Sequence, residues 1–181
     1  PVILFDLPAK DGDPDGIVKK AIAGLGKLEP APLGTRDRAA HIGIANYANG
    51  LGRLAECDLV IKAIAERLDW KRELYAKIVP HLAPHAVLVT NTSGLSLAAL
   101  SDALPAAVRP RFCGVHFFNP PRYMHLVELI AAADTGPGIL DALETFLTTT
   151  LGKGVVRAKD TPNFIANRLG IFSILATFKE A

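Results

Sequence analysis

One histidine and one glutamate could act together to move a proton. His116 opens the segment His-Phe-Phe-Asn-Pro-Pro, and Glu128 follows twelve positions later within an apolar run. Val127 and Leu129 flank Glu128, so part of its strand is buried, and a buried carboxylate needs a partner to stay charged. An imidazole can be that partner, and the two groups then form a base and the residue that orients it. A core histidine and an unrelated edge glutamate would have the same spacing.

Polar residues also follow the carboxyl ends of several predicted strands. In a doubly wound sheet the ligand lies outside these ends, so such residues are candidates for one shared site. They are Asp6 after the first strand, Glu66 after the third, and Asn91, Thr92 and Ser93 after the fourth. A carboxylate there can hold the hydroxyls of a ribose by charge-assisted hydrogen bonds. For Asp6, an ordinary turn residue is the alternative.

An alternation of strand and helix patterns predicts the fold that positions these groups. Short apolar runs predict strands at 2–5, 41–44, 58–64, 87–90, 111–116, 126–130 and 155–158. Helical spacing predicts a turn at 51–56 and helices at 17–28, 69–82, 95–103, 137–151 and 163–181. In the second of these helices, Trp70, Leu74, Ile78 and Leu82 recur every fourth residue as the expected inner face. The alternation favours an α/β fold with parallel crossovers.

Composition limits the class of protein. The chain has 181 residues, of which 50% are hydrophobic and 21% charged, which excludes intrinsic disorder. Its net charge is only +2, so no nucleic-acid partner is expected. The apolar runs are far shorter than the ~20 residues of a membrane span. Cys57 and Cys113 form neither a CxxC pair nor a disulfide framework, which predicts a soluble, cytoplasmic protein with reduced thiols.

The glycine motif that binds pyrophosphate in dinucleotide-binding folds is missing. Gly24 and Gly26 come nearest to G-x-G-x-x-G, but Glu29 holds the third glycine position. The two glycines also lie late in a predicted helix, where glycine is typical of a helix end. On its residues alone, a dinucleotide site in this chain is incomplete.

Four motifs follow one another along the chain: Asn91-Thr92-Ser93, His116-Phe117-Phe118-Asn119-Pro120, Leu126-Val127-Glu128 and the segment from Asp160 to Arg168. In this order and at this separation they resemble the NAD-binding domain of the L-3-hydroxyacyl-CoA dehydrogenases of fatty-acid β-oxidation. The resemblance covers nearly the whole chain and is weakest between residues 11 and 56. It implies a Rossmann-like, mostly parallel sheet with helices on both faces. Residues 1–181 would then be a partial NAD-binding and catalytic domain, from the family's second strand to the helix that leads to its C-terminal domain.

The resemblance implies a role for each candidate residue. His116 would be the general base, Glu128 its ion-pair partner, and Ser93 and Asn167 would hydrogen-bond to the 3-oxygen of the substrate. The cofactor would be NAD, with Asp6 at the adenosine ribose, Ala63, Glu66 and Lys71 beside the nicotinamide half, and Asn91, Ser93 and Asn119 where cofactor and substrate meet. Two residues differ from the family's pattern: Asn163 replaces a glycine, and Lys62 replaces a common acidic residue. No metal ligand is implied.

The implied reaction is the NAD-dependent oxidation of an L-3-hydroxyacyl-CoA to the 3-oxoacyl-CoA. Histidine suits the proton transfer because its pKa lies near the operating pH, and a paired carboxylate stabilises the imidazolium. Two alternatives remain: a dehydrogenase of another 3-hydroxy acid, and a non-catalytic domain that keeps the sheet without holding NAD. Because the glycine motif and the family's C-terminal domain are missing, we expect residues 1–181 alone to be inactive. A homodimer would form through that C-terminal domain.

Overall fold

A computed structural model describes residues 1–180 of the chain. This part contains seven strands and five α-helices. The strands are β1 (Val2–Asp6), β2 (Ile42–Asn46), β3 (Leu59–Lys62), β4 (Val87–Thr90), β5 (Phe112–Phe117), β6 (Leu126–Ala131) and β7 (Gly154–Ala158). The helices are α1 (Gly16–Leu25), α2 (Leu68–Ile78), α3 (Leu97–Ser101), α4 (Pro137–Thr145) and α5 (Ala166–Glu180). Most predicted elements are therefore present, with boundaries shifted by a few residues.

Hydrogen bonds divide the strands into two sheets. β1 and β2 form a parallel pair, and β3-β4-β5-β6-β7 form a second sheet in that order. In the second sheet every neighbouring pair is parallel except β5 and β6. Only the short connection 118–125 joins those two, and a connection without a crossover helix favours the antiparallel arrangement. The prediction of a mostly parallel sheet is confirmed.

Helices cover both faces of the five-stranded sheet. Along β4, Leu88 and Val89 belong to different buried clusters, because neighbouring side chains of a strand point to opposite faces. Leu74 of α2 and Leu100 of α3 share the cluster of Leu88, whereas Leu143 of α4 shares that of Val89. The sheet therefore lies between two apolar layers, as the Rossmann-like fold requires.

The segment before α5 is not helical, although the predicted helix began at residue 163. Asn163 and Phe164 have φ values of 63° and 48°, in the left-handed region that side chains with a Cβ seldom adopt. Asparagine tolerates this region better than most residues, which explains how Asn163 stands where the family has glycine. Phe164 is held there by nearly complete burial. The last residue of the predicted helix, Ala181, lies outside the described residues.

One predicted helix face is partly wrong. In α2, Trp70 is 47% exposed, whereas Lys71 is 1% exposed and packs inward with Tyr75 and Ile78. The guanidinium carbon of Arg67 lies 4.6 Å from the centre of the Trp70 ring, so this ring is covered at the surface rather than in the core. The buried lysine has an acidic partner, described below, which the apolar pattern could not reveal.

Candidate active site

The pairing of β5 with β6 brings the predicted histidine and glutamate together. Their antiparallel register places His116 directly opposite Glu128. Nδ1 of His116 lies 2.8 Å from Oε2 of Glu128, and the two side chains are only 5% and 1% exposed. Directly opposite residues on one face of an antiparallel pair have neighbouring side chains, so the register alone accounts for the contact. The imidazole and the carboxylate therefore form a hydrogen-bonded pair in the interior.

Glu128 also holds the start of α5. Its Oε1 accepts hydrogen bonds from the backbone N–H groups of Ile165 (2.9 Å) and Ala166 (2.8 Å). The first amides of a helix have no acceptor within the helix, and they carry its partial positive charge. These two bonds and the imidazole together supply the partners that a buried carboxylate needs. One side chain thus orients His116 and anchors the helix that carries Asn167.

Two phenylalanine rings pack near the imidazole of His116. The ring centre of His116 lies 4.5 Å from that of Phe118 and 5.8 Å from that of Phe164. Because the imidazole donates from Nδ1 to the carboxylate, its free lone pair lies on Nε2. No residue among 1–180 hydrogen-bonds to Nε2. This nitrogen is the one that can take a proton from a bound molecule.

Glu66 fixes the loop that contains Ser93. Its Oε1 accepts from the hydroxyl of Thr92 and from the three successive N–H groups of residues 93–95, at 2.9 to 3.3 Å. Its Oε2 accepts from Nζ of Lys71 at 2.8 Å. Burial raises the pKa of the Glu66 carboxyl, but the hydrogen bonds from Lys71 and Thr92 outweigh it and bring the pKa to about 2. Glu66 is therefore ionised at neutral pH, and both of its oxygens are engaged.

Lys71 lies behind Glu66 rather than on an open surface. Its side chain is 1% exposed and its ammonium is paired with that carboxylate. Lys71 therefore contacts the carboxylate that in turn binds the loop of Ser93. Its predicted position beside the nicotinamide half stays a prediction.

Further hydrogen bonds join the strand ends on the same edge. Nδ2 of Asn167 donates to the carbonyl oxygen of Ser93 over 3.4 Å, which brings the two predicted ligands of the substrate oxygen together. Oδ1 of Asn91 accepts from the N–H of Phe117 over 2.8 Å, next to His116. His116, Ser93 and Asn167 therefore share one edge of the five-stranded sheet.

Three other candidates lie at strand ends without a hydrogen bond, among residues 1–180, to this group. Asp6 ends β1 in the two-stranded sheet, and its Oδ1 accepts from the N–H of Leu7 at 2.7 Å. Ala63 directly follows β3 and is exposed. Asn119 is exposed at the start of the connection between β5 and β6.

A family model for the NAD-binding domain of 3-hydroxyacyl-CoA dehydrogenase matches residues 15–161. The chain belongs to this family. A protein of Rickettsia felis named as a fatty acid oxidation complex trifunctional enzyme is 44% identical over 99% of the chain. A protein of Deinococcus radiodurans named as a 3-hydroxyacyl-CoA dehydrogenase is 37% identical over 99% of it. The 3-hydroxybutyryl-CoA dehydrogenase of Escherichia coli has a solved structure that superposes with a TM-score of 0.76 at 31% identity.

The chain spans only part of the length of its relatives. It covers 25% of the Rickettsia protein and 52% of the Deinococcus protein. The superposition includes 93% of this chain and 35% of the chain in the Escherichia coli structure.

The residues of the domain fit two parts of NAD. The carboxylate of Asp6 closes a parallel strand, and one of its oxygens has no hydrogen bond within residues 1–180, as a ribose ligand requires. The edge formed by the ends of β3, β4 and β5 carries the polar side chains of Asn91 and Ser93, whose chemistry suits the nicotinamide end. The pyrophosphate in this fold binds at a G-x-G-x-x-G turn, and residues 1–181 do not contain that sequence.

Other kinds of site are not formed by the described residues. No group of three or more His, Cys, Asp or Glu side chains among residues 1–180 could hold a metal ion. Cys57 and Cys113 are free thiols, and burial raises the pKa of Cys113 to about 12, so it stays protonated. No helix within the same residues is long and apolar enough to cross a membrane.

Lys62 is a buried lysine at the sheet edge that carries Ser93 and His116. It ends β3, is only 3% exposed, and its Nζ has no hydrogen-bond partner within the described residues. The nitrogen lies 4.3 Å from the centre of the Tyr75 ring. Burial, followed by the positive charge of Lys71, lowers the pKa of Lys62 from 10.5 to about 7.

We expect the protein to be more stable at alkaline pH than at neutral pH, because the pKa of Lys62 is lower in the folded chain than in the unfolded chain. Between the folded pKa of about 7 and the unfolded value of 10.5, the unfolded chain binds one proton more than the folded chain. The free energy of unfolding therefore rises with pH in this window, by at most about 1.4 kcal/mol per pH unit. Urea unfolding at about pH 7 and about pH 9 measures the rise. Lys62→Met should lose much of it and the exposed Lys20→Met should keep it; equal rises in both variants would contradict the expectation.

Proposed function

We propose that the protein containing this domain is an NAD-dependent dehydrogenase that oxidises an L-3-hydroxyacyl-CoA to the 3-oxoacyl-CoA. The observation that carries the proposal is the 2.8 Å contact between buried His116 and Glu128, on the same sheet edge as Ser93 and Asn167. Membership of the family supports the cofactor and the class of reaction. The names of the Rickettsia and Deinococcus relatives support fatty-acid β-oxidation as the process.

His116 is the base in the proposed reaction. Its Nε2 takes the proton of the 3-hydroxyl, and the Glu128 carboxylate stabilises the imidazolium and holds the ring in place. The side chains of Ser93 and Asn167 hydrogen-bond to the same 3-oxygen and align it with Nε2. NAD, when bound, supplies the acceptor for hydride. In the reverse direction the imidazolium returns the proton to the carbonyl oxygen.

The proposed cofactor residues contribute in different ways. Asp6 binds the hydroxyls of the adenosine ribose. Ala63 borders the nicotinamide half, and Asn91, Ser93 and Asn119 line the junction with the substrate. Both oxygens of Glu66 already have partners, one of them Lys71, so this pair shapes the Ser93 loop on which the nicotinamide half rests.

The rate of NADH consumption by the product of the complete open reading frame tests the proposal. A 3-oxoacyl-CoA should be reduced, and the corresponding free 3-oxo acid should be reduced far more slowly. Similar rates with the two compounds would favour the alternative, a dehydrogenase of another 3-hydroxy acid. A folded protein that neither binds NADH nor turns over would favour a non-catalytic domain.

We expect the 181-residue chain by itself to bind NAD weakly or not at all. It offers residues for the ribose and for the nicotinamide end, but no glycine turn at a helix N-terminus to hold the pyrophosphate. Isothermal titration calorimetry measures the affinity, with the complete open reading frame product as the control. Micromolar binding by the short chain would overturn the expectation and would mean that another segment holds the phosphates.

Assembly and location are part of the same proposal. We expect a homodimer formed through residues outside the 181, and a place in the cytoplasm. Sedimentation of the complete open reading frame product would measure the assembly, and a monomer at micromolar concentration would contradict the dimer.

A further inference from the structure

Asp160 connects two distant parts of the chain. It lies between β7 and α5, and its Oδ1 accepts from the N–H of Leu97 at 2.9 Å. Its Oδ2 accepts from the N–H of Ala98 at 2.9 Å and from the hydroxyl of Ser96 at 3.1 Å. Leu97 and Ala98 are the first residues of α3, whose amides have no acceptor within the helix. A single carboxylate therefore fixes the start of α3, more than sixty residues earlier in the sequence.

α3 directly follows the loop of Ser93. Glu66 binds the amides of residues 93–95, and Asp160 binds the next three residues, 96–98. Leu97 is fully buried between these contacts. The segment that carries Ser93 is therefore held by two carboxylates from two different directions.

Asp160 also begins the segment that leads to Asn167. This strap, residues 160–166, includes Asn163 and Phe164, the two non-glycine residues with positive φ among residues 1–180. The backbone amides at its far end donate to Glu128. The strap is thus bound to α3 at one end and to the partner of His116 at the other. Asn167 follows it directly and donates to the carbonyl oxygen of Ser93.

We propose that Asp160 is a positioning residue, which by binding α3 to the strap sets Ser93 and Asn167 at the separation that the 3-oxygen of the substrate needs. The inference rests on the proposed function, which assigns those two residues to that oxygen. Asp160 does not touch the substrate. The direct hydrogen bond between Asn167 and Ser93, which are 74 positions apart, is long at 3.4 Å, and a displacement of about 1 Å can lower a rate about 10²-fold.

Kinetics of the complete open reading frame product test this role. Asp160→Ala removes all three hydrogen bonds, and Asp160→Asn keeps the shape but loses the charge and one acceptor. We expect kcat to fall about 10²-fold in Asp160→Ala and less in Asp160→Asn, while the affinity for NADH stays within about twofold. Asp160→Glu, which restores the carboxylate, should recover part of kcat. Asp134→Asn, an exposed aspartate past the end of β6 at the opposite edge of the sheet, is the matched control and should change neither quantity.

A double-mutant cycle separates positioning from a purely structural role. Because Asp160 acts in part through Asn167, Asp160→Asn should lower kcat by a smaller factor in an Asn167→Ala background than in the wild type. Independent effects that multiply would overturn the inference, as would normal kcat in Asp160→Asn. If Asp160→Ala does not fold, Asp160→Asn carries the test alone.

Hydrogen exchange distinguishes failure of the inference from failure of the proposed function. Asp160→Asn should speed amide exchange in residues 96–98 and in the strap together, whether or not the protein is a dehydrogenase. An inactive wild type would reject the proposed function, whereas unchanged exchange in Asp160→Asn would reject the connection that Asp160 makes.

Discussion

Turnover of a 3-oxoacyl-CoA should fall by roughly 10²- to 10⁴-fold when His116 is replaced by glutamine, because the group that transfers the proton is lost. The imidazole acts on the substrate oxygen and not on the dinucleotide, so the affinity for NAD should stay nearly unchanged. The side chain of glutamine is polar and similar in length to that of histidine, but it cannot take up a proton near neutral pH. Steady-state NADH consumption and NADH binding by the complete open reading frame product measure both quantities.

The matched control is His85→Gln. His85 is exposed and pairs with Asp58 at the opposite end of the strands, 2.9 Å away. That variant should keep normal turnover. Near-normal turnover in His116→Gln would show instead that His116 is a core histidine without a role in proton transfer, and the proposed mechanism would be wrong.

Replacement of Glu128 should damage both turnover and folding. Glu128→Gln removes the charge that stabilises the imidazolium, so turnover should fall by at least about tenfold. Glu128→Ala in addition leaves His116 and the amides of Ile165 and Ala166 without their partner, which should cost on the order of 3 kcal/mol of unfolding free energy. NADH consumption and urea unfolding measure the two effects.

The double variant of His116→Gln with Glu128→Gln tests whether the two residues act as a unit. It should be little slower than the worse single variant, since the effects of residues in one catalytic unit do not add. Glu144→Gln is the control, because this partly exposed glutamate contacts Arg157 far from His116, and it should change little. A double variant whose loss equals the product of the two single losses would contradict the pairing.

The resemblance predicted the pair of His116 and Glu128, and the short connection between their strands allows it, although the spacing alone left a core histidine and an unrelated glutamate open. Two neighbouring strands joined by a short connection bring opposite residues together, and the apolar neighbours of Glu128 indicate its burial. The bonds of Glu128 to the amides at the start of α5 were not predictable. Backbone amides have no signature in sequence, and the non-helical backbone at Asn163 and Phe164 depends on tertiary packing.

Glu66 and Lys71 show a similar limit. Strand-end position predicted that Glu66 lies at the site, but not that it binds the loop of Ser93 through three amides. The apolar spacing of α2 placed Trp70 inside and took no account of Lys71, because a buried ion pair is recognisable only once both partners are located. The division of the strands into two sheets was not predictable either, because the residue pattern of one strand does not show which strand pairs with it.

The role of His116 as the base is tested most directly by one distance. A crystal structure of the complete open reading frame product with NAD and a 3-oxoacyl-CoA would give the separation between Nε2 of His116 and the 3-oxygen. We predict about 2.6 to 3.2 Å, with Ser93 and Asn167 bound to the same oxygen. A 3-oxygen held away from His116, within reach of a different proton donor, would contradict the proposed mechanism.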